Sequence, residues 1–568
     1  MRIFVVAFLF CSSTLTAQIF PKADYPRGYF RNPLNVPILL SGNFGELRPN
    51  HYHMGLDIKT QARENLPVYA AAEGYIARIK IEPGGFGRAI YINHPNGYTT
   101  LYAHLNAFNP ALENWVKQQQ YLQESWAVQL ELTPDQFPVK KGDYLANSGN
   151  TGGSQAPHLH FEIRQTSNDV NVNPFLFGLP IEDNIRPRIA RLAIYDRTKS
   201  VYEQSPRLIP VKATNASTFV TTPAIIKVSS PKISFAIGAW DTHNGAANHN
   251  GIYETNLFMD ASPVVAFRMD NISYNDTRYL NAHIDYKTRT LASAYLQHVS
   301  ELPGYINSIY KHGSGDGVLD ISDGEPHNIR IDVKDAAGNS CSLAYKVQYT
   351  GTATIAAPVT GKEFFPLMID GFESTDCEFY MGERSLYDSV HIKYSRSAAL
   401  LPQVVSAVHT IGDRYIPLQE AFLIRIQPAR PLTPAEKSRT VMQWFSASRK
   451  TVQKVEWQEN WATARFRDFG SYQLVVDTEP PVIVPIGWAN GANLQKASRL
   501  LFTVKDNMEV FKRVRAELDG KWLRFTNDKG RTFIYTFDEH CLPGTHELKI
   551  SAEDEAGNVA VTSFTFTR

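Results

Sequence analysis

A chain of 568 residues is longer than one hydrophobic core supports, so several domains are expected. With 43% hydrophobic and 20% charged residues it sits among folded globular proteins and outside the disordered classes. A formal net charge of +1 excludes the basic or acidic excess by which proteins hold nucleic acid or anionic membranes, so neither is expected as a partner.

The start of the chain has the layout of an export signal. Arg2 is a short basic start, residues 3–10 are apolar, and residues 12–17 are small and polar, with cleavage expected before Gln18. Residues 1–17 are assigned to this signal. The apolar run is too short to remain as a membrane span, and no later stretch reads as one. The rest of the chain is expected in the periplasm, the cell envelope or the medium. Cys11 admits a lipoprotein reading, against which Phe10 stands where a small residue belongs. The remaining cysteines, Cys341, Cys377 and Cys541, have no metal-ligand spacing and read as isolated buried thiols, with one disulfide plus a leftover thiol as the alternative.

Residues 21–40 form an extended lead-in, followed by a loop over 41–48. His51 in that region reads as a solvated loop residue. The motif His53-Met54-Gly55-Leu56-Asp57 comes next, with His53 and Asp57 on one face and Gly55 leaving space between them. Short β-rich runs at 67–71 and 75–81 end in the turn Pro83-Gly84-Gly85-Phe86-Gly87. A hairpin follows, 89–93 and 98–102 about Pro95-Asn96-Gly97, with His94 structural at its edge. The returning strand delivers His104. Tyr102 shares its face, placed to hydrogen-bond a tetrahedral intermediate or to pack as an ordinary strand tyrosine. Residues 106–138 change period: Asn109-Pro110 reads as a helix start, and Leu112, Trp115, Leu122 and Trp126 recur at near-helical spacing. This helical insertion is expected to form one wall of a substrate groove, with a plain surface insertion as the alternative. A strand at 144–146 and the glycine-rich 149–153 lead into His158-Leu159-His160-Phe161-Glu162-Ile163. There, alternation puts both imidazoles on one face and Leu159 and Phe161 into a core.

Catalytic zinc takes three protein ligands from His, Asp, Glu or Cys and leaves a fourth position to water. His53, Asp57 and one histidine of the His158/His160 pair make such a set. The other histidine of the pair and His104 are then free for acid–base work. These motifs, with Pro67-Val68-Tyr69-Ala70, Tyr102-Ala103-His104-Leu105, Lys141-Gly142-Asp143 and Gly149-Asn150-Thr151-Gly152, come in an order that resembles the lysostaphin-type (LytM-domain, beta-lytic) zinc metallopeptidases over residues 37–178. The resemblance implies one zinc ion on His53, Asp57 and His160, and catalytic roles for His104 and His158. All five positions are filled, which implies an active peptidase. The insertion after His104 departs from the family's usual pattern.

Beyond residue 185 the pattern stays β and the chemistry-bearing motifs stop. A weak internal repeat is visible: Trp240-Asp241 with Asp335-Ala336-Ala337-Gly338-Asn339 parallels Asp506-Asn507 with Asp554-Glu555-Ala556-Gly557-Asn558. A short helix is expected at 433–437, and Trp457 and Trp461 read as core residues or as a carbohydrate-stacking face. The expected fold is all-β and mainly antiparallel: a signal (1–17), a peptidase domain (18–184, insertion 106–138), and three β-sandwich domains (185–350, 351–477 and 478–568), the first and last immunoglobulin-like.

The expected function is a secreted zinc metalloendopeptidase acting on peptidoglycan stem or cross-bridge peptides. Hydrolysis follows from the ligand set, and peptidoglycan from the resemblance and the export signal. Two alternatives remain: a silent envelope protein that docks on wall hydrolases through its β-sandwiches, and a zinc peptidase acting on exported proteins or peptides.

Overall fold

A computed structural model describes residues 19–22, 24–351, 359–399 and 401–568; the export signal, its cleavage point and Cys11 lie outside them. The protein is mainly antiparallel β with little helix. In the N-terminal domain the path of a nine-stranded sheet runs Leu40–Gly42, Leu56–Lys59, His158–Gln165, Tyr98–Ala103, Arg88–Asn93, Gly74–Ile81 and Val128–Glu131. Each neighbouring pair is antiparallel. A three-stranded sheet of Pro67–Tyr69, Tyr144–Ser148 and Leu105–Phe108 shares its apolar core, which includes Leu56, Ile90, Tyr102, Leu145, Leu159 and Phe161. Burying side chains of this size stabilises by about 1.5–3 kcal/mol each.

The hairpin register, with Ile90 opposite Tyr102 and Asn93 opposite Thr99, carries the chain to Ala103 at the centre of the sheet. There Ala103 lies opposite His160, and His160 lies opposite Asp57 on its other side. Three strands distant in sequence are thus held in one register, and that register places the candidate site.

The insertion contributes a helix, α1 (Pro110–Leu122), and the edge strand Val128–Glu131. Asn109 caps α1 by accepting from the Leu112 N–H at 3.1 Å, and Pro110 takes the first turn, where its missing N–H costs nothing. Leu112, Val116 and Gln120 face the domain. Leu122, read from its spacing as apolar-face, is 77% exposed because the helix ends there.

The adjoining face of α1 carries the C-terminal sheets, with Gln120 between the two. Lys117 pairs with Asp538 at 2.6 Å and Glu539 at 2.8 Å, Tyr121 stacks on His540 at 3.9 Å, and Arg524 donates to the Gln120 amide oxygen at 3.0 Å. Lys529 reaches further, donating to the carbonyls of Gly152 (3.1 Å) and Ser154 (2.7 Å).

Residues 188–349 contribute an eleven-stranded sheet, residues 370–476 two five-stranded sheets, and residues 482–567 a three- and a five-stranded sheet. One apolar cluster runs through residues 189–474 without a break, with Tyr279 and Tyr387 packed 5.8 Å apart across it. The C-terminal sheets keep a separate core around Phe502, Leu548 and Phe566. The short helix Pro434–Ser438 has a full capping box between Thr433 and Glu436. The repeated turns are alike: Asn339 Nδ2 donates to the Asp183 carbonyl at 3.2 Å and Asn558 Nδ2 to the Asp477 carbonyl at 3.0 Å. Cys341, Cys377 and Cys541 are buried free thiols. Among the described residues no helix is long and apolar enough to cross a membrane.

Candidate active site

A cleft of about 1280 Å3 opens over the sheet and is lined by His53, Asp57, His104, His158 and His160, with Tyr274 from the following domain. No residue of the insertion lines it, so α1 is a support for the C-terminal sheets and not the groove wall expected of it.

Asp57 Oδ1 is the focus. His53 Nε2 stands 2.9 Å from it, His160 Nδ1 2.9 Å and His158 Nε2 3.3 Å, while His53 Nε2 and His160 Nδ1 are 3.1 Å apart. The other nitrogen of each ring is already committed. His53 Nδ1 meets the Asn43 carbonyl at 2.7 Å, and His160 Nε2 meets the Glu162 carboxylate at 2.8 Å. His104 Nδ1 meets the Thr151 carbonyl at 2.9 Å, and His158 Nδ1 the Ala156 carbonyl at 2.8 Å. Those oxygens can only accept, so each of these nitrogens carries the proton, and the neutral rings present their remaining lone pairs inward. His53, His160 and Asp57 are then three acceptors facing one another with no donor between them.

That arrangement calls for a cation. Tetrahedral zinc with ligands at about 2.0–2.2 Å sets neighbouring donor atoms about 3.3 Å apart, close to the 2.9–3.1 Å found here. The donor types, two imidazoles and a carboxylate, suit zinc as well. Without a cation the nearest substitute is a proton: burial disfavours a charged His160, but hydrogen bonds with Asp57 and Glu162 outweigh it and raise it to about 9. Burial alone would raise Asp57, yet the surrounding imidazoles of His53, His158 and His160 hold it well below the carboxylate range. Burial, and then the neighbouring rings of His160 and His158, push His104 down to about 3.

The backbone is shaped for this convergence. At Gly55 a Cβ would meet the Phe161 carbonyl oxygen at 2.5 Å, Glu162 Cγ at 2.8 Å and His160 Cε1 at 3.1 Å. Glycine is therefore required by the strand backing the site more than by an ion. His104 sits just past its strand with φ +60°, an uncommon conformation for a non-glycine residue. That turn points its ring at the cleft while Tyr102, two residues earlier, enters the core. The Tyr102 hydroxyl accepts from the Ala71 N–H at 2.8 Å and from the Thr100 hydroxyl at 3.0 Å, so it is the packed strand tyrosine and touches no substrate. His94 is buried against the Glu73 carbonyl and Thr100, and His51 lies exposed on the rim.

Three supporting residues went unassigned in the sequence. Glu162 is fully buried and takes hydrogen bonds from His160, Arg164 Nε (2.7 Å), Asn171 (2.7 Å) and the Tyr274 hydroxyl (2.5 Å). Its i+2 spacing from His160 was the available signal. Arg48 grips the free Asp57 oxygen, Oδ2, at 2.9 Å and Glu46 at 2.8 Å. Tyr274 lies 112 residues beyond Glu162 and gives no local signal. It is held there by the bridge between Asn171 and Ile272 and by the Asn173 N–H on Asp270 at 3.0 Å.

The model of peptidase family M23 matches residues 51–130 and 127–174, and that of a Zu5-like domain matches residues 370–477. The DD-carboxypeptidase/endopeptidase Mpg of Neisseria meningitidis is 30% identical over 193 residues, 34% of this chain and 35% of that protein. The peptidoglycan DD-endopeptidase ShyC of Vibrio cholerae is 27% identical over 160 residues, 27% of this chain and 30% of that protein. The chain thus matches about a third of the length of these relatives. The catalytic domain of lysostaphin from Staphylococcus simulans is 25% identical, with a TM-score of 0.17, covering 24% of this chain and 87% of that one.

Proposed function

We propose that this chain, a member of peptidase family M23 through residues 51–174, is an exported zinc endopeptidase that hydrolyses peptide bonds in the stem or cross-bridge peptides of peptidoglycan. His53 Nε2, Asp57 Oδ1 and His160 Nδ1 would hold the zinc ion. Zinc bound there supplies Lewis acidity, bringing water's pKa toward neutrality and polarising a carbonyl.

The chain's own groups do the positioning and proton transfer. Arg48 and Glu162 fix the orientations of Asp57 and His160. His104 and His158, with ring centres 4.8 Å apart, each keep Nε2 unprotonated, that of His158 lying 3.3 Å from Asp57 Oδ1. One of the two rings accepts the proton of the attacking water at Nε2, and that same N–H then steadies the developing oxyanion and returns the proton to the leaving amine.

The observation that carries this reading is the inward convergence of imidazole lone pairs around a buried carboxylate in an open cleft. The wall substrate is supported by the relatives' names and by the export-signal pattern of residues 1–17. The test is mass spectrometry of fragments released from purified peptidoglycan, with and without a zinc chelator, beside H158A. Chelator-sensitive peptide products missing from the variant are expected. No release from any wall type by zinc-loaded protein would overturn the wall substrate and turn the search to exported peptides or a docking role.

A further inference from the structure

A second group of metal-ligating side chains lies outside the cleft, where the N-terminal domain passes into the sheet that follows. Asp183 comes from the connecting stretch, Asp241 from the residue after the Lys232–Trp240 strand, and His243 from two positions on. One donor atom from each lies within 4.8 Å of the others. Asp241 is 1% exposed, and the side chains of His243 and Asp183 are 4% and 0% exposed. The group ties two domains together: Phe175 lies against the His243 ring at 5.9 Å, and the Asn184 N–H donates to Asn244 at 3.3 Å.

The carboxylates are unsatisfied. Both Asp241 oxygens and Asp183 Oδ2 are buried without a hydrogen-bond partner. Among the described residues neither carboxylate pairs with a lysine or arginine; the imidazole of His243 lies beside them, with Nε2 3.6 Å from Asp183 Oδ2. Asp335 adds a third negative charge nearby, its own oxygens being taken by the N–H groups of Gly338 and Asn339 and by the Asn339 amide. Asp241 is thus a buried carboxylate with neither a donor nor a lysine or arginine to balance it. A buried carboxylate left this way is stable only if something neutralises it.

The far side of the imidazole is prepared as well. Asn250 faces His243 Nδ1 at 2.9 Å through its nitrogen, while its own oxygen is buried and unpartnered. With that amide turned over, which gives up the hydrogen bond from Asn250 to the Asn248 carbonyl at 3.2 Å, the oxygen accepts from Nδ1–H and the Nε2 lone pair faces the carboxylates, an arrangement usual behind a metal-bound histidine. Asp241 also lines a cavity of about 450 Å3 with Trp240 and His249, which gives an ion a way in. The related turn near the C-terminus answers the same problem differently. Asp506-Asn507-Met508 stands where Asp241-Thr242-His243 stands here, and the Asn507 amide donates to Asp477 at 2.9 Å.

We propose that Asp183, Asp241 and His243 bind one divalent cation that fastens the peptidase domain to the sheet behind it. Two carboxylates and an imidazole favour a first-row transition ion such as Zn2+ or Mn2+ over Ca2+.

The test is a competition titration of the chelator-stripped full chain with Zn2+, Mn2+ and Ca2+, read by bound metal and by the thermal midpoint. Wild type is expected to take up two equivalents of zinc, D241N one, and H160A one. Zinc should raise the midpoint of H160A and leave the H160A/D241N double variant unmoved. Two equivalents in folded D241N, or none in folded H160A, would overturn the proposal. If D241N does not fold, H243Q is read by the same criteria. Tighter binding of Ca2+ than of Zn2+ at the D241N-sensitive site would overturn the assignment of His243 as a ligand.

Discussion

Replacing Glu162 by glutamine keeps the shape of the side chain and changes only what it can accept. Burial alone would raise this carboxyl, but Arg164, His160 and Tyr274 together hold it down to about 2, so in the native protein it is a full acceptor to every neighbour. In E162Q one side of the group becomes an N–H donor. If that side faced Arg164 and Asn171, donors would meet donors. It therefore turns toward His160 Nε2, 2.8 Å away, which must then accept. The His160 proton moves to Nδ1, the atom facing His53 and Asp57, where a zinc ligand needs a lone pair. Losing such a partner behind a metal ligand typically lowers affinity about 10–100-fold. That corresponds to about 1.4–2.7 kcal/mol at 1.36 kcal/mol per decade. Zinc affinity measured against a competing chelator, with circular dichroism to follow folding, checks it. Unchanged affinity in folded E162Q would refute the role of Glu162, and a loss that merely tracked the unfolded fraction would refute the proton argument.

Other outcomes follow from the same structure. Y274F keeps the ring over Arg164, 4.8 Å away, and loses only the hydroxyl on Glu162. It should cost about 1.5–3 kcal/mol of stability in urea unfolding and lower zinc affinity less than E162Q. F161A opens a cavity behind the histidine strand and should cost about 3–5 kcal/mol in the same assay. Burial lowers His94 to about 4, below its unfolded value near 6.5, so its contribution is intact above pH 6.5 and lost as pH falls through that window. Between pH 7 and 5 wild type should lose about 2 kcal/mol more than H94Q at the N-terminal domain's unfolding transition. K117A, at a partly exposed ion pair, should cost under about 1 kcal/mol and less in high salt. Y121A removes a ring stacked on His540 and set edge-on to Trp522; it should cost about 2 kcal/mol and speed proteolysis of residues 478–568.

The parts legible in the sequence were those governed by a short period. Alternation along 158–162 is enough to set His158, His160 and Glu162 on one face, and the Pro95-Asn96-Gly97 turn is enough to register the hairpin that ends near His104. The same period misplaced Tyr102, because His104 has left the strand at φ +60° and the two side chains no longer share a face. Tyr274 and Arg48 reach the site from separate loops and are fixed by tertiary contact alone. Lys117 and Tyr121 look from sequence like a solvated helix face, since a docking partner more than 400 residues away leaves no local trace. The continuity of one core through residues 189–474 is hidden for a similar reason: strand pattern reports which face is apolar, not which sheet covers it.

The hydrogen bonds from Lys529 to Gly152 and Ser154 join residues 377 and 375 positions apart. Contacts of such separation form late, and earlier domains fold first as a chain is made. The cleft therefore reaches its final form in stages, with Tyr274 added by the domain that follows and the rim held last. Its sheet and imidazoles assemble from the first 165 residues, and the loop that carries Ser154, whose hydroxyl lies 3.2 Å from His158, is clasped only after residue 529 has been made and its sheet has folded. A chain cut short of that point owns every imidazole of the cleft and lacks the hold on its rim. For this protein, ordering of the rim reports that the sheets carrying Lys529 have folded and docked.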